Sequence, residues 1–261
     1  MTVLDVLDAA SVDAPTPVVT IGGLPITVID RAAEADLMIR LARSRRAVPL
    51  FFTSANGEVI ARTSSDPEHA KLFALADQIV ADGQPLVIAS RFLCAERLPE
   101  RVATTDLFHD VARLAETTGT TFYLLGATEA GNAGAVAAAR LAYPGLAIVG
   151  AAHGYLSGDA LESKLAEINA LGPDILWLGL GVPREQIFFR DHGKKLGNVG
   201  LIKTSGGLFD HMAGKVRRAP LLVQRLGFEW LWRLLMEPRR LFWRYLTTNP
   251  RALYAILRNS R

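Results

Sequence analysis

Strand-like and helix-like segments alternate through most of the chain, and this alternation limits the fold more than any other feature of the sequence. The clearest unit runs from a strand at 121–126 through a helix at 128–143 to a second strand at 146–150. A further helix at 158–171 then leads to a strand at 174–181. Strands separated by single helices form βαβ units and lie parallel in one sheet. We therefore predict an α/β fold with a Rossmann-like, mostly parallel sheet as its core.

The segments before this unit predict further elements of the same kind. An N-terminal β-hairpin is predicted over 17–30, because two β-rich runs flank the pair Gly22-Gly23. The apolar patterns also predict strands at 47–54 and 78–81 and helices at 32–45, 67–75 and 106–117. The chain then divides into a lead-in at 1–16, an α/β core at 17–214 and a helical appendage at 215–261.

The appendage at 215–261 is basic and amphipathic. It contains 11 Lys and Arg residues against two acidic residues, whereas the net charge of the whole chain is +3. Pro238 and Pro250 are each expected to begin a new short helix within it. Such a tail predicts an anionic partner, and the bulky apolar residues of FEWLWRLLMEPRRLFWRYL, 228–246, favour a lipid surface over nucleic acid. Without lipid, the same residues would favour a homo-oligomer.

The remaining composition indicates where the protein works. A single cysteine, Cys94, cannot form an internal disulfide. The sequence shows no leader-like start and no run of about 18 apolar residues, so we expect a cytoplasmic protein that does not span a membrane. The five histidines lack the paired spacing of metal ligands, so we expect no metal site.

Polar residues follow two of the predicted strands, at the edge where parallel sheets bind ligands. Asp82 precedes Gly83, whose missing side chain lets backbone approach a ligand closely. Asp82 is either a turn residue or a carboxylate that takes a proton from a hydroxyl nucleophile. Thr53 and Asn56 close the preceding strand, where they either cap the next helix or contact a ligand.

Glycine-rich segments follow the other predicted strands. Gly126 precedes a helix that begins at Thr128, and the backbone there either holds a pyrophosphate or forms a packing turn. The segment GLGVPREQ places Gln186 after another strand. The segment GLIKTSGGLFDHMAG, 200–214, is predicted to be a loop with Asp210 buried between apolar neighbours. Both segments are either ligand-binding loops or ordinary loops with satisfied polar groups.

Taken in order, these segments resemble the WecG/TagA/CpsF family of bacterial glycosyltransferases, glycosyltransferase family 26. The resemblance covers about 17–248. It is carried by the hairpin and by TSANGEV, VADGQP, ERVATTDLF, FYLLGATE with YPGLAIVG, LGLGVPREQ, GGLFDHMAGKVRRAP and FEWLWRLLMEPRRLFWRYL.

The resemblance implies an inverting transfer of a hexose or N-acetylhexosamine from a UDP-sugar to a polyprenyl-diphosphate-linked sugar. It places this reaction on the cytoplasmic membrane face, in the synthesis of cell-surface polysaccharide, without a metal ion or other cofactor. In a metal-free transfer, helix N-termini and arginines would offset the charge on the leaving diphosphate. The expected partners are therefore the two substrates and an anionic membrane surface, and not a nucleic acid.

The resemblance also assigns roles to particular residues. Asp82 corresponds to the family's proposed general base, and Thr53 to a residue of its substrate pocket. Together with the loops above, it gives a predicted substrate-binding set of Asn56, Gly83, Arg101, Gly126, Gln186, Gly207, Asp210, Arg217, Arg233 and Arg240. One segment departs from the family, which usually has Pro-x-Gln-Glu where this chain has PREQ, 183–186. Either Gln186 takes the glutamine's role through a shifted turn, or donor selection differs.

Two other function classes stay open at this point. A nucleotide-cofactor oxidoreductase would suit the Rossmann-like pattern, but the chain lacks a G-x-G-x-x-G run with its acidic partner. A nucleic-acid-binding protein would use the basic tail to contact phosphates and stack bases. The absence of G-x-S-x-G and G-x-x-x-x-G-K-[ST] argues against a serine hydrolase and a P-loop phosphotransferase.

Overall fold

The core of the molecule is a parallel β-sheet, as the βαβ pattern predicts. The computed structural model describes residues 16–216, 219–220, 222–223 and 227–261, apart from the side chain of Arg240. Within these residues the sheet has six strands in the order β4-β3-β8-β7-β5-β6, and every neighbouring pair is parallel. The strands are β3 Leu50–Ala55, β4 Gln78–Ala81, β5 Phe122–Gly126, β6 Ile148–Ala152, β7 Ile175–Gly179 and β8 Leu201–Thr204.

Helices cover both faces of this sheet. They are α1 Arg31–Ala42, α2 Gly57–Ser65, α3 Pro67–Phe73, α4 Gln84–Leu93, α5 Thr104–Thr118, α6 Glu129–Ala142, α7 Gly158–Leu171, α8 Arg184–His192, α9 Leu208–Met212, α10 Glu229–Met236 and α11 Pro238–Arg258. Helices α1, α5, α6 and α9 share one apolar cluster with the sheet, whereas α7 and α8 pack on the opposite face. Adjacent residues of a strand therefore belong to different clusters: Phe52 packs with α1 and α5, and Phe51 with α7 and α8.

The predicted N-terminal hairpin is confirmed as a separate two-stranded antiparallel sheet. Strands β1 Val18–Ile21 and β2 Leu24–Thr27 are joined by Gly22 and Gly23, which both adopt positive φ. A turn with positive φ at both central residues matches the twist of the flanking strands, and glycine adopts it at little cost. The hairpin packs with α2, α4 and the end of α11 in a third apolar cluster.

The largest difference from the sequence prediction is β8, which was predicted to be a loop. Its sequence, LIKT, is short, carries a lysine and lies between glycines, so its apolar pattern resembles that of a loop. In the structure β8 pairs with both β3 and β7 and is completely buried. Helices α2, α4 and α8 were not predicted either, although the shorter α3 was.

In the part of the tail that the structure describes, helices α10 and α11 dock onto the core. Helix α11 begins at Pro238 as expected, but it continues through Pro250, where a third helix was expected. Pro250 is exposed, so the carbonyl that loses its helical partner lies where water can reach it. One face of α11 packs on α2, and the buried residues of the tail include Leu241, Ala255 and Ile256. None of the helices in the described part of the chain has the length and hydropathy to cross a membrane.

The C-terminal residues extend this docking to the hairpin. The backbone N–H of Thr20 donates to the carbonyl of Arg261 at 3.1 Å, and the N–H of Arg261 donates back to the carbonyl of Thr20 at 2.9 Å. The N–H of Gly23 also donates to the carbonyl of Asn259, at 2.9 Å. The end of the tail is therefore joined to the hairpin by these three backbone hydrogen bonds.

Two charged side chains are buried where α1 crosses the sheet. Glu34 of α1 and Lys203 of β8 are both completely buried. Burial raises the pKa of Glu34 to about 7, although the Lys203 ammonium opposes this shift. The fold therefore favours protonated Glu34, and the carboxylate form costs stability.

We predict that this cost appears as a pH dependence of the free energy of unfolding. The pKa of Glu34 rises from 4.5 to about 7, and at about 1.4 kcal/mol per unit this amounts to about 3 kcal/mol. Because the folded state binds the proton more tightly, this contribution is present below pH 4.5 and is lost as the pH rises through 7. Urea unfolding of the wild type and Glu34→Gln across this range should show the variant gaining relative stability as the pH rises. Asp36→Asn, on the exposed face of the same helix, is the control, and an equal pH dependence in all three proteins would contradict the prediction.

We also predict that Gly126 is required for strand packing. It adopts a φ of +150°, and a Cβ added there would lie 2.3 Å from the carbonyl oxygen of Gly179. Backbone cannot move aside as a flexible side chain can, so Gly126→Ala should lower the free energy of unfolding by about 2 kcal/mol or more. Gly207→Ala is the matched control, because no atom lies within 4 Å of its added Cβ and its φ is −89°. Equal unfolding midpoints for the two variants would refute the assignment.

Candidate active site at the carboxyl edge of the sheet

The predicted site residues between 53 and 101 collect at the carboxyl ends of β3 and β4. These strands are neighbours in register, with Ala55 opposite Ala81. The backbone N–H of Asp82 continues the ladder by donating to the carbonyl of Ala55 at 2.8 Å. Asp82 therefore leaves the sheet beside Asn56, and the loop of β3 and the loop of β4 form one rim.

The carboxyl group of Asp82 is held by the first turn of α5. Its Oδ2 accepts hydrogen bonds from the backbone N–H of Thr104 at 3.3 Å and from the Thr104 hydroxyl at 3.2 Å. Burial raises the pKa of Asp82, while Arg101, the Thr104 N–H and Lys203 favour its charged form and Glu229 opposes it. A partly buried carboxyl of fixed orientation and raised pKa can accept a proton from a hydroxyl group.

Thr53 lies on the opposite face of the sheet from Asp82. Its hydroxyl is 2.9 Å from the hydroxyl of Thr204 and accepts a hydrogen bond from Nε2 of Gln186 at 3.1 Å. Thr53 and Gln186 are both buried. The structure thus brings two predicted site residues together with each other, but it does not bring the Thr53 hydroxyl to the Asp82 carboxyl.

The departure at PREQ gives two buried polar side chains on α8. The Oε1 of Glu185 accepts hydrogen bonds from the backbone N–H groups of Ser205 at 3.3 Å and Gly206 at 2.7 Å. Glu185 therefore fixes the loop after β8, while Gln186 beside it reaches Thr53. In this order of residues the acid supports the loop and the amide contacts the strand end.

A cavity of about 360 Å³ lies between this rim and the tail helices. Asn56, Gly83 and Arg101 line it from the core side. From the tail side, the lining includes Glu229, Trp230, Arg233, Arg244 and Tyr245. Asn56 also caps α2, because its Oδ1 accepts a hydrogen bond from the N–H of Val59 at 3.1 Å. Both alternatives for Asn56, helix cap and residue of a ligand cavity, are therefore compatible with the geometry.

In the described part of the chain, three arginines and two glutamates line this cavity, so positive charge is in slight excess on its wall. Arg101 forms an ion pair with Glu229 at 2.5 Å, which joins the core to α10. Arg244 pairs with Glu58 of α2 at 3.1 Å. The Nε atoms of Arg233 and Arg244 are buried and find no hydrogen-bond partner among the residues that the structure describes. Unsatisfied guanidinium N–H groups around a cavity suit an anionic ligand such as a phosphate.

The glycine-rich loops after β5 and β8 have different roles. Gly126 lies against the backbone of Gly179, which is the geometry of a packing turn. Asp210 was predicted to be buried, but its side chain is 43% exposed and lies 3.8 Å from Nζ of Lys215. Short helix α9 turns Phe209 into the core and leaves Asp210 outside. Gly207 precedes α9 with open space around it.

Two predicted residues cannot be placed. Arg217 lies outside the described residues, and so does the side chain of Arg240. Sequence reasoning also missed three residues of the site: Thr104, Glu229 and Arg244. Thr104 belongs to the ERVATTDLF segment that carries the resemblance, and this was the available signal. Nothing in the local sequence marks Glu229 or Arg244 as partners of core residues.

Comparison with known proteins identifies the family. A family model described as "Glycosyl transferase WecG/TagA/CpsF family" matches residues 19–261. Among curated relatives, an N-acetylglucosaminyldiphosphoundecaprenol N-acetyl-beta-D-mannosaminyltransferase of Bacillus spizizenii strain W23 is 29% identical, over 81% of this chain and 80% of the relative. A protein of the same name from Bacillus subtilis strain 168 is 28% identical, over 80% of this chain and 79% of the relative. The match spans nearly the whole chain and includes the Asp82 loop, the arginine-lined cavity and both tail helices, so this protein belongs to the WecG/TagA/CpsF family of glycosyltransferases.

Proposed function

We propose that the protein transfers a hexose or N-acetylhexosamine from a UDP-sugar to a polyprenyl-diphosphate-linked sugar, with inversion, in the synthesis of cell-surface polysaccharide. The observation that carries the proposal is the Asp82 carboxyl, held by Thr104 and within electrostatic reach of Arg101, which lines the cavity together with Gly83. The names of the Bacillus relatives support it, since they describe transfer of N-acetylmannosamine to a diphosphoundecaprenol-linked N-acetylglucosamine.

In the proposed reaction, Asp82 acts as the general base. Its carboxylate takes the proton from an acceptor sugar hydroxyl while that oxygen forms a bond to the anomeric carbon of the donor. The bond from this carbon to the UDP oxygen breaks on the opposite side, so UDP leaves with the bonding electrons and the configuration inverts. A raised pKa suits this step, because a carboxylate that is a stronger base accepts the proton more readily.

The arginines of the cavity take the charge of the diphosphate. We assign this role to Arg101, Arg233 and Arg244, and we propose that the transfer uses no metal ion. Fixed positive groups in a partly closed cavity stabilise developing negative charge more strongly than water does. Arg101 is paired with Glu229 in this structure. A bound diphosphate would therefore either share Arg101 with the Glu229 carboxylate or take the place of that carboxylate.

The tail supports a proposed location on the inner face of the cytoplasmic membrane. The exposed face of α11 presents Trp243, Leu246 and Leu257, which are 69%, 55% and 63% exposed. Exposed arginines at 239, 251 and 258 accompany them on the same helix. Aromatic and aliphatic side chains next to arginines suit the boundary between anionic headgroups and acyl chains. The same face would favour self-association when lipid is absent.

A screen of UDP-sugars tests the proposal as a whole. The first pair to examine is UDP-N-acetylmannosamine with diphosphoundecaprenol-linked N-acetylglucosamine, because the relatives are named for this transfer. Release of UDP that requires both substrates, with a disaccharide product detected by mass spectrometry, is the expected result. Absence of acceptor-dependent UDP release with every donor would reject the proposal.

We predict that Asp82→Asn abolishes transfer while UDP still binds. Loss of a general base should lower kcat by about 10²-fold or more, because the amide cannot take the proton. Isothermal titration with UDP and the thermal unfolding midpoint should stay close to those of the wild type. Asp36→Asn removes an exposed aspartate elsewhere and should keep full activity. Turnover of Asp82→Asn within a few-fold of the wild type would remove Asp82 from the base role.

We predict that the triple variant Trp243→Ser/Leu246→Ser/Leu257→Ser loses affinity for anionic vesicles. The three side chains are exposed, so the substitutions leave the packing of α11 on α2 intact. Co-sedimentation with phosphatidylglycerol vesicles measures the binding. A matched control replaces three exposed apolar residues away from the tail: Leu141, Val149 and Leu171. Equal binding by both triple variants would show that α11 is not the membrane contact.

A further inference from the structure

Lys203 lies in the middle of the core and takes no part in the reaction proposed above. Lys203 is completely buried in β8, between β3 and β7. Lysine is almost never fully buried in proteins unless it is paired. Yet no carboxylate of the described residues lies within ion-pairing distance, 4.0 Å, of Nζ. Its Nζ instead donates to the Ser54 hydroxyl at 2.8 Å and to the carbonyl of Thr204 at 3.3 Å.

The Ser54 hydroxyl connects this lysine to the candidate base. Ser54 Oγ lies 3.2 Å from the Thr104 hydroxyl. The Thr104 hydroxyl in turn donates to Oδ2 of Asp82 at 3.2 Å. Four side chains from β8, β3, α5 and the end of β4 therefore form one continuous chain of hydrogen bonds.

The chemistry of the two ends gives this chain a direction. An ammonium group has only donors, and an ionised carboxylate has only acceptors. With Lys203 donating to Ser54, the Ser54 proton points to Thr104 and the Thr104 proton points to Asp82. The O–H dipoles of Ser54 and Thr104 thus both point towards the Asp82 carboxyl group. This arrangement stabilises the ionised form of Asp82.

The sheet places these residues on the same side. Lys203 is opposite Phe52 in the register of β3 and β8, so it lies on the face that packs against α1 and α5. Ser54 is two residues after Phe52 and lies on the same face. Thr53 and Gln186 belong to the other face and take no part in the chain.

We propose that Lys203 is a positioning residue that keeps Asp82 ionised through the Ser54 and Thr104 hydroxyls, and this inference rests on the proposed role of Asp82. The groups that face Asp82 are Arg101 and Lys203, which favour its carboxylate, and Glu229, which opposes it. Facing Lys203 are Glu34 of α1, Glu185 of α8 and Asp82 itself, all of which favour its ammonium form. Burial opposes the charge on both groups.

The test compares pH–rate profiles of the full-length wild type, Lys203→Met and Ser54→Ala. Without the cation, the pKa of Asp82 should rise, so the acid limb of kcat should move to higher pH. We expect a roughly tenfold loss for Lys203→Met on the acid limb, with recovery as the pH rises. Ser54→Ala keeps the cation and breaks the chain, so it should move the limb the same way by less. It also carries the test if Lys203→Met does not fold.

Glu34→Gln is the matched control for disturbance of the buried cluster. It removes an ionisable group near Lys203 without touching the chain, and because the fold favours protonated Glu34, the substitution should not move the acid limb to higher pH. A loss of activity in Lys203→Met that is uniform across pH would indicate only a structural role and would overturn the proposal. An upward shift in Glu34→Gln as large as that in Lys203→Met would overturn it as well.

A second readout does not depend on turnover. Protein labelled with 13C at the aspartate carboxyl can be titrated by NMR, with Asp82→Asn used to assign the signal. The pKa of Asp82 should be higher in Lys203→Met than in the wild type. An unchanged pKa refutes the role of Lys203 whether or not the protein transfers sugars. A raised pKa without acceptor-dependent UDP release for any donor would instead support the electrostatic role of Lys203 and reject the proposed function.

Discussion

The parallel register of β3, β4 and β8 is the constraint on which the rest of the structure depends. Because all strands run the same way, each one ends at the same edge, and the residues that follow them are neighbours despite their separation in sequence. Asp82 and Asn56 meet there, with the Ser205 loop fixed by Glu185 beside them. The same register sends Lys203 and Ser54 to one face and Thr53 to the other. The strand register thus separates the polar groups below the rim into two hydrogen-bond networks. One contains Lys203 and Ser54, and the other contains Thr53.

The tail lines the candidate active-site cavity and also forms part of the exposed surface of the molecule. Helix α11 lies on α2, and α10 reaches Arg101 through Glu229. Together the two helices supply one wall of the cavity, including guanidinium groups with unused donors. The opposite face of α11 is apolar and exposed. Helix α11 therefore has two kinds of contact: Arg244 faces the cavity, whereas Trp243, Leu246 and the arginines at 239, 251 and 258 are exposed.

Much of the fold could be predicted from the sequence, since the βαβ pattern and the Gly22-Gly23 turn are local signals. Strand β8 was missed because a buried lysine breaks the apolar pattern, and this lysine is intelligible only beside Ser54. The place of Asp82 could be predicted from its strand end, whereas its Thr104 contact joins residues 22 positions apart. Asp210 was predicted to be buried because its neighbours are apolar, but a one-turn helix separates their directions. Pro250 does not begin a new helix, because it lies on the exposed side of α11, where an interior proline is tolerated.

The short pairing between Arg261 and Thr20 has a mechanical consequence. The tail is fastened near its beginning by the Glu229–Arg101 ion pair and at its end by backbone hydrogen bonds to the hairpin. A segment held at both ends transmits a push or tilt to the body that holds it, where a segment held at one end would swing. Whatever flat surface the exposed face of α11 rests on therefore fixes the tilt of the whole sheet. The cavity, which α11 helps to line, then keeps a fixed orientation relative to that surface.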